Sequence, residues 1–295
     1  IVEFEENSQL KIIGPHAFHN SAIEWILIPS SVTMICEYAF YNCDYLTNVE
    51  FEKNSQLQTI GIYAFANTSI VNIEIPSNVI FIESHTFDSC NDLVKVTFSE
   101  NSKLKIISGY AFSNSSIRYL EIPSKVCLLE NFWCFNTLFL TSVNVSPENE
   151  YYENDGEYIV KGKKSNNNDN IFFVSRDMYR IFIPSFIKHI GTNSFSNGYI
   201  RYVHFNNDSQ LSVIHSDAFC CSLIEYFSFP ATVTTIENRA FGYCKKLMSV
   251  YFPNNSQLQI IEDEAFTKTF LYTVLIPSKV KYIGKNAFSE CKNLR

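Results

Sequence analysis

Nowhere does the 295-residue sequence hold 18 consecutive apolar residues, so it contains no helix able to span a bilayer. Its nine glycines never gather into a phosphate-cradling loop. Nine cysteines include no CxxC pair, and the six histidines (His16, His19, His85, His189, His204 and His215) do not fall at metal-ligand spacing. No metal and no cofactor is expected. Basic residues are outnumbered, 23 Lys and Arg against 30 Asp and Glu, for a formal charge of −7. Nucleic acid is therefore not an expected partner, because phosphate backbones are bound through basic patches. The opening residues, IVEFEENSQL, carry acids where a secretory leader would carry an apolar run. They also enter the pattern described next part-way through, which reads as a piece of a longer chain.

Apolar material is plentiful: 46% of residues are hydrophobic and 15% aromatic. It is arranged periodically. A small residue followed by Phe recurs with Phe18, Phe40, Phe65, Phe87 and Phe112, at steps of 22, 25, 22 and 25. It continues as Cys134-Phe135 and resumes with Phe195, Phe219, Phe241, Phe266 and Phe288. Ile/Phe-Pro recurs with Pro29, Pro76, Pro123, Pro184, Pro230 and Pro277, and Asn/Asp-Ser-Gln/Lys-Leu with Ser8, Ser55, Ser102, Ser209 and Ser256. Three markers thus share a period of 47 residues built from two unlike halves, the signature of a solenoid.

One half reads Leu46-x-x-Val49-x-Phe51-x-x-Asn54-x-x-Leu57-x-x-Ile60, a leucine-rich-repeat pattern. Val49 and Phe51 alternate with Asn48 and Glu50, which predicts a strand with one buried face. Pro76 follows its strand, where it should cost the ladder no donor. Ile35, Ala39, Phe40 and Cys43 share one face at helical spacing, which predicts a short helical segment on the convex side. The fold class expected is an α/β repeat: a right-handed leucine-rich-repeat solenoid with a parallel concave sheet, forming one domain over residues 1–295. Twelve strands are expected, at 2–4, 23–28, 46–51, 70–75, 93–98, 117–122, 140–145, 178–183, 200–205, 224–229, 247–252 and 271–276. At roughly 4.8 Å per coil the stack would be roughly 50–60 Å long. Residues 146–177 break the rhythm. Asp155-Gly156 is a turn signal, and 157–161 and 171–175 read as two strands around a polar loop at 162–170, a β-hairpin inserted in one coil.

The run IPSSVTMICEYAFYNCDYL, residues 28–46, resembles the BspA-like leucine-rich repeat family. The hairpin, preceded by Asn149-Glu-Tyr-Tyr152, is similar to an insert found there. The resemblance implies a surface protein of mucosal bacteria or parasitic protists that adheres to host matrix or to other cells. The asparagine-rich composition looks more like the protist branch. No catalytic residues come with the family.

Function is expected on the outward strand positions of the concave sheet. The candidate contact residues are Glu50, Glu74, Tyr119, Glu121, Arg180, Phe182, Tyr202, His204, Tyr226 and Tyr251. Acids dominate the N-terminal half and aromatics the C-terminal half. Glu50 and Glu74 are expected directly opposite each other on adjacent strands, a like-charge conflict. The aromatic stripe could anchor a protein or stack on sugars, although aromatics also favour strands for packing alone. His204 has neither a nucleophile nor a paired acid beside it, so no enzyme is expected. Cys43, Cys90, Cys244 and Cys291 read as buried thiols; a bridge from Cys220 or Cys221 to Cys244 is the lesser alternative. Five sequons, at Asn67, Asn114, Asn144, Asn207 and Asn254, would matter only in a secreted chain. Two functions remain open: a cell-surface adhesion module that binds host matrix or cell-surface proteins, with glycan as a further ligand, or an intracellular scaffold in the cytoplasm.

Overall fold

The computed structural model describes residues 2–154, 159–163 and 169–295, with Ile159 by its backbone alone. By contacts the chain forms two compact units, Ile1–Glu153 and Asn154–Arg295. The Asp155-Gly156 turn and most of the polar loop after Gly162 lie outside the described residues.

In the first unit, five long strands follow the outward/inward alternation of the sequence: Trp25–Ile28, Asn48–Phe51, Asn72–Ile75, Lys95–Phe98 and Tyr119–Ile122, with a sixth at Ser142–Val145. In the second unit the long strands are Arg180–Ile183, Tyr202–Phe205, Tyr226–Ser228 and Ser249–Tyr251. All long-strand pairings are parallel. Ten of the twelve expected strands are therefore present. Segments 2–4 and 271–276 are not strands.

A second ladder escaped the sequence reading. Two-residue strands build this ladder: Ile12–Ile13, Met34–Ile35, Thr59–Ile60, Phe81–Ile82, Ile106–Ile107 and Leu128–Leu129 in the first unit, the last five each following a long strand. They pair in unbroken parallel register. The second unit repeats this from His189–Ile190 to Tyr282–Ile283. The hairpin is built as expected, with Ile159–Gly162 antiparallel to Asn170–Val174. Its second strand joins the short ladder by pairing with His189–Ile190.

The predicted helical segments are absent: no described residue is helical. In the segment following each short strand, amides alternate between two kinds of partner. Ala39, Tyr41 and Cys43 bond three residues back, to Cys36, Tyr38 and Phe40, while Tyr38, Phe40 and Asn42 bond across to Ile62, Ala64 and Ala66 of the next coil. Two residues four apart, such as Tyr38 and Asn42, take left-handed backbone angles of 56°. A helix cannot contain such residues every fourth position, and the i, i+4 apolar spacing arises from this arch instead.

The arch aims the marker phenylalanines inward. Phe40, Phe65, Phe87 and Phe112 are fully buried, as are Phe219, Phe241 and Phe266. Their rings stack face to face through each unit: Phe40–Phe65 lies at 5.1 Å and Phe241–Phe266 at 5.2 Å between centroids. One marker was misassigned. The amides of Phe112 and Asn114 bond to the carbonyls of Trp133 and Phe135, which puts Cys134 opposite Phe112 and Asn136 opposite Asn114. Cys134 is buried; Phe135 is one position outside the core column. The 22-residue step from Phe112 lands on Cys134, in keeping with the alternation.

All nine cysteines are thiols, so the alternative bridge to Cys244 does not form. Four of the buried ones close the arch: Cys43, Cys90, Cys244 and Cys291 each donate to the carbonyl of the marker phenylalanine one coil earlier, at 2.9–3.1 Å. Burial pushes the Cys90 thiol up to about 11. Ser and Thr take the place of Cys in the intervening coils; Thr68 donates to the Phe65 carbonyl at 2.8 Å.

The long ladder, unlike the short one, opens at every second step. Four residue pairs join Trp25–Ile28 to Asn48–Phe51, but only Asn48–Asn72 joins the next two strands. Four then two pairs follow, then four again. In the second unit Tyr202–Phe205 and Tyr226–Ser228 belong to separate sheets. In the first unit proline explains the alternation. Glu52, Ser99 and Ser146 each donate one further rung, to Ile28, Ile75 and Ile122. The equivalent residue in the other half-repeat is Pro76 or Pro123, which has no N–H to donate; in the second unit both Pro230 and Pro253 stand there, and Tyr226–Ser228 still pairs with Ser249–Tyr251 over three residues. The expectation that these prolines cost nothing is thus corrected: each removes the closing rung.

Candidate functional site

Along Asn72–Ile75, Ile73 and Ile75 are buried and Asn72 and Glu74 exposed, the two-residue period of a sheet with one wet face. The ten expected contact residues all lie at such outward positions. Glu50, Glu74, Glu121, Arg180, Phe182, His204, Tyr226 and Tyr251 are exposed; Tyr119 and Tyr202 are half-buried.

In the first unit the opened ladder forms a cleft between Asn48–Phe51 and Asn72–Ile75. Its volume is about 900 Å³, and its walls include Asn48, Glu50, Glu52, Glu74, Lys95 and Ser99. The expected face-to-face conflict of Glu50 and Glu74 is relieved, because strand pairing stops at Asn48–Asn72. Each carboxylate turns to a neutral donor. Asn48 Nδ2 donates to Glu50 and Ser99 Oγ to Glu74, both at 2.7 Å. The Ser30 N–H donates to Glu52 at 2.8 Å. Neutral donors orient the acids without cancelling their charge. Tyr119 and Glu121 pair with Ser142 and Asn144, outside the cleft.

In the second unit the structure gathers part of the aromatic set. Arg180 pairs with Tyr202 and Phe182 with His204. The Phe182 and His204 rings stack at 4.8 Å, and Phe182 remains 67% exposed. Tyr202 belongs to a polar network: its hydroxyl donates to Glu225 at 3.1 Å, Glu225 pairs with Arg201 at 2.7 Å, and its ring meets Tyr179 edge-on. Hydrogen bonding to Tyr179, then to Glu225, pushes the Tyr202 phenol up to about 12. Tyr226 and Tyr251 stand apart on the Tyr226–Ser228 and Ser249–Tyr251 strands, 50% and 60% exposed.

The sequence reading missed a second aromatic column. His16, Tyr38, Tyr63, His85, Tyr110 and Phe132 occupy the first left-handed position of successive arches. Neighbouring rings stack at 4.4–5.2 Å. The corresponding residues of the second unit are Asn193, Asp217, Arg239, Glu264 and Asn286. Aligning residues two before each marker would have exposed this contrast. The sequons Asn67 and Asn114 lie at the second left-handed position, where their amides already donate to Asn42 and Asp88.

One hydrogen-bonded chain of titratable groups lies on the short ladder of the second unit. His189 Nδ1 and His215 Nε2 are 3.2 Å apart, and His215 Nδ1 is 2.9 Å from Glu237. Burial, then His215, lowers the His189 pKa; the His215 hydrogen bond lowers that of Glu237. Among the described residues no group of three or more His, Cys, Asp or Glu is arranged to hold a metal ion. No helix of the described residues is long and apolar enough to cross a membrane.

The two-ladder coil, its inward phenylalanines and the alternating half-repeats have a counterpart among known families. The family described as BspA type leucine rich repeat region matches residues 11–151 and 166–295, in six copies. The chain belongs to this family. Three solved structures are similar to this BspA-type chain. The pneumococcal vaccine antigen PcpA is 25% identical with a TM-score of 0.75, over 97% of this chain and 66% of that one. A leucine rich cell surface protein from Faecalibacterium prausnitzii A2-165 is 24% identical, TM-score 0.77, over 97% and 82%. A leucine-rich repeat protein from Eubacterium ventriosum ATCC 27560 is 20% identical, TM-score 0.64, over 94% and 85%. The BspA-type chain spans just under two thirds of the pneumococcal antigen's chain. No curated protein matches it in sequence.

Proposed function

We propose that the chain is the binding module of a cell-surface adhesion protein, and that the outward face of the long strands carries the contacts. The observation that carries this reading is the set Phe182, Tyr226 and Tyr251, large aromatic rings left 50–67% exposed on strands whose inward residues Ile181, Ile183 and Phe227 are buried and Val250 partly so. Such rings dominate protein interfaces and also stack on sugars. Host matrix or cell-surface proteins are the proposed partners, with glycan second. Glu50, Glu74 and Glu121 would favour a basic partner surface, and Arg180 and His204 flank the aromatic set. A relative described as a cell surface protein and another described as a vaccine antigen support the location. The test is binding of labelled protein to host cells and matrix coats. A Phe182→Ala/Tyr226→Ala double variant should lose at least tenfold in affinity while its melting temperature stays within a few degrees. Undiminished binding by a folded double variant would reject this face.

One observation favours the second reading, an intracellular scaffold: nine thiols and no disulfide suit a reducing compartment. Antibody staining of intact against permeabilised cells separates the two. Signal from intact cells supports the surface location, and signal only after permeabilisation supports the scaffold.

A further inference from the structure

Cys220 and Cys221 sit side by side on the arch after Phe219, with their sulfurs 3.7 Å apart. All nine cysteines fall among the described residues, and of these Cys221 is the exposed one. Its backbone is left-handed, with φ at 61°. At this position of the arch the chain places asparagine at Asn20, Asn42, Asn67, Asn114, Asn136 and Asn197, the residue type that tolerates such angles best, and Ser89, Tyr243, Lys268 and Glu290 elsewhere. Cysteine has no backbone reason to be there.

The surroundings favour an ionised sulfur on Cys221. Cys220 is half-buried, and either of the two sulfurs can donate to the other; with Cys220 donating, the charge rests on Cys221. Lys245 and Arg239 contribute positive charge, and Asp217 opposes them. Asp217 is itself buried and held by Arg239 at 3.0 Å. With Cys220 as the leading cause, the Cys221 thiol is lowered to about 7, whereas burial raises Cys36, Cys43, Cys90 and Cys244. The thiolate is the nucleophilic form.

We propose that Cys221 is a thiol–disulfide exchange site that captures a disulfide-bearing molecule as a lasting mixed disulfide, with Cys220 as its positioning donor. The Cys221 thiolate attacks one sulfur of a disulfide R–S–S–R. The S–S bond breaks, a Cys221–S–S–R bond forms, and R–S⁻ leaves to take up the proton that Cys221 released. No further oxidant is required, since the incoming disulfide is reduced as Cys221 is oxidised. Cys220 does not expel the adduct. Adjacent residues across a trans peptide have Cα atoms about 3.8 Å apart, short of the roughly 4.4 Å minimum for a relaxed disulfide. The arch holds them there: the Cys220 and Cys221 amides bond to Asp217 and Gly242, and the Asn197 amide bonds to Cys220.

The experiment is incubation of the whole chain with oxidised glutathione near neutral pH, followed by intact and peptide mass measurement. One glutathione per chain, on Cys221, is expected, with a rate that rises through a midpoint near pH 7. Cys221→Ser should take up none while keeping the parent melting temperature. Cys220→Ala, which leaves no side-chain donor, should still react, with its midpoint moved upward by about one unit or more toward an ordinary thiol. Equal labelling of Cys36 or Cys127 would overturn the site. An unshifted midpoint in folded Cys220→Ala would overturn the role of Cys220. Closure of a Cys220–Cys221 disulfide, seen as release of glutathione and loss of two hydrogens, would overturn the lasting adduct.

Discussion

Phe65 shows what a single residue does in this architecture. Its ring is fully buried between those of Phe40 and Phe87, so truncation opens a cavity two neighbouring coils cannot collapse into. Phe65→Ala should cost the first unit about 3–5 kcal/mol, read as a shift in its urea unfolding midpoint; a shift within error would show that the ring column is not its core. This residue was legible because its spacing recurs. Cys134 was not, since a neighbouring phenylalanine at position 135 imitated the marker. In the second unit, protons act residue by residue. His189 is held below its ordinary 6.5, so the folded state refuses a proton that the unfolded chain accepts, and stability falls as pH drops below 6.5. Glu237 is held below 4.5, so its contribution is present above 4.5 and is lost as pH falls through its lower folded value. Unfolding midpoints of the second unit should therefore fall in two stages on acidification, and His189→Gln should flatten the first. A flat profile for the parent protein down to about pH 5 would contradict the histidine pairing.

Elements in this chain are legible in proportion to their length. Four-residue strands show a clear alternation, as in Asn72–Ile75. Two-residue strands such as Thr59–Ile60 are too short to show any period, so a whole ladder went unseen. The arch was read as helix because its left-handed residues, four apart, place apolar side chains at the same spacing that a helix would. The candidate contact residues were legible as outward positions. The cleft between Glu50 and Glu74 was not, because it depends on an absent N–H group and not on a side chain. Restoring that group tests the idea. In Pro76→Ala, the new amide should donate to the Phe51 carbonyl, close the cleft and be protected from hydrogen exchange. Rapid exchange at residue 76 would mean that something other than proline holds the strands apart.

At the scale of the molecule, the chain spreads its net charge of −7 unevenly over its faces. The first unit is acidic on its long-strand face and aromatic along its arches. The second is aromatic on the long-strand face and carries Asp217, Arg239 and Glu264 along its arches. One repeat pattern thus presents two unlike surfaces, because the core positions fix the fold and leave the outward positions unconstrained. The rung removed by each proline has a further consequence. Strands are fully laced only in couples, so the smallest self-consistent module is two coils, the 47 residues from Pro29 to Pro76 or from Pro76 to Pro123. Excising or duplicating one such cassette leaves every junction like those already present. In the first unit, removing a single coil would instead set two proline-bearing halves side by side, an edge match that this unit nowhere uses. Genetic drift in the length of such proteins should accordingly proceed by whole couples.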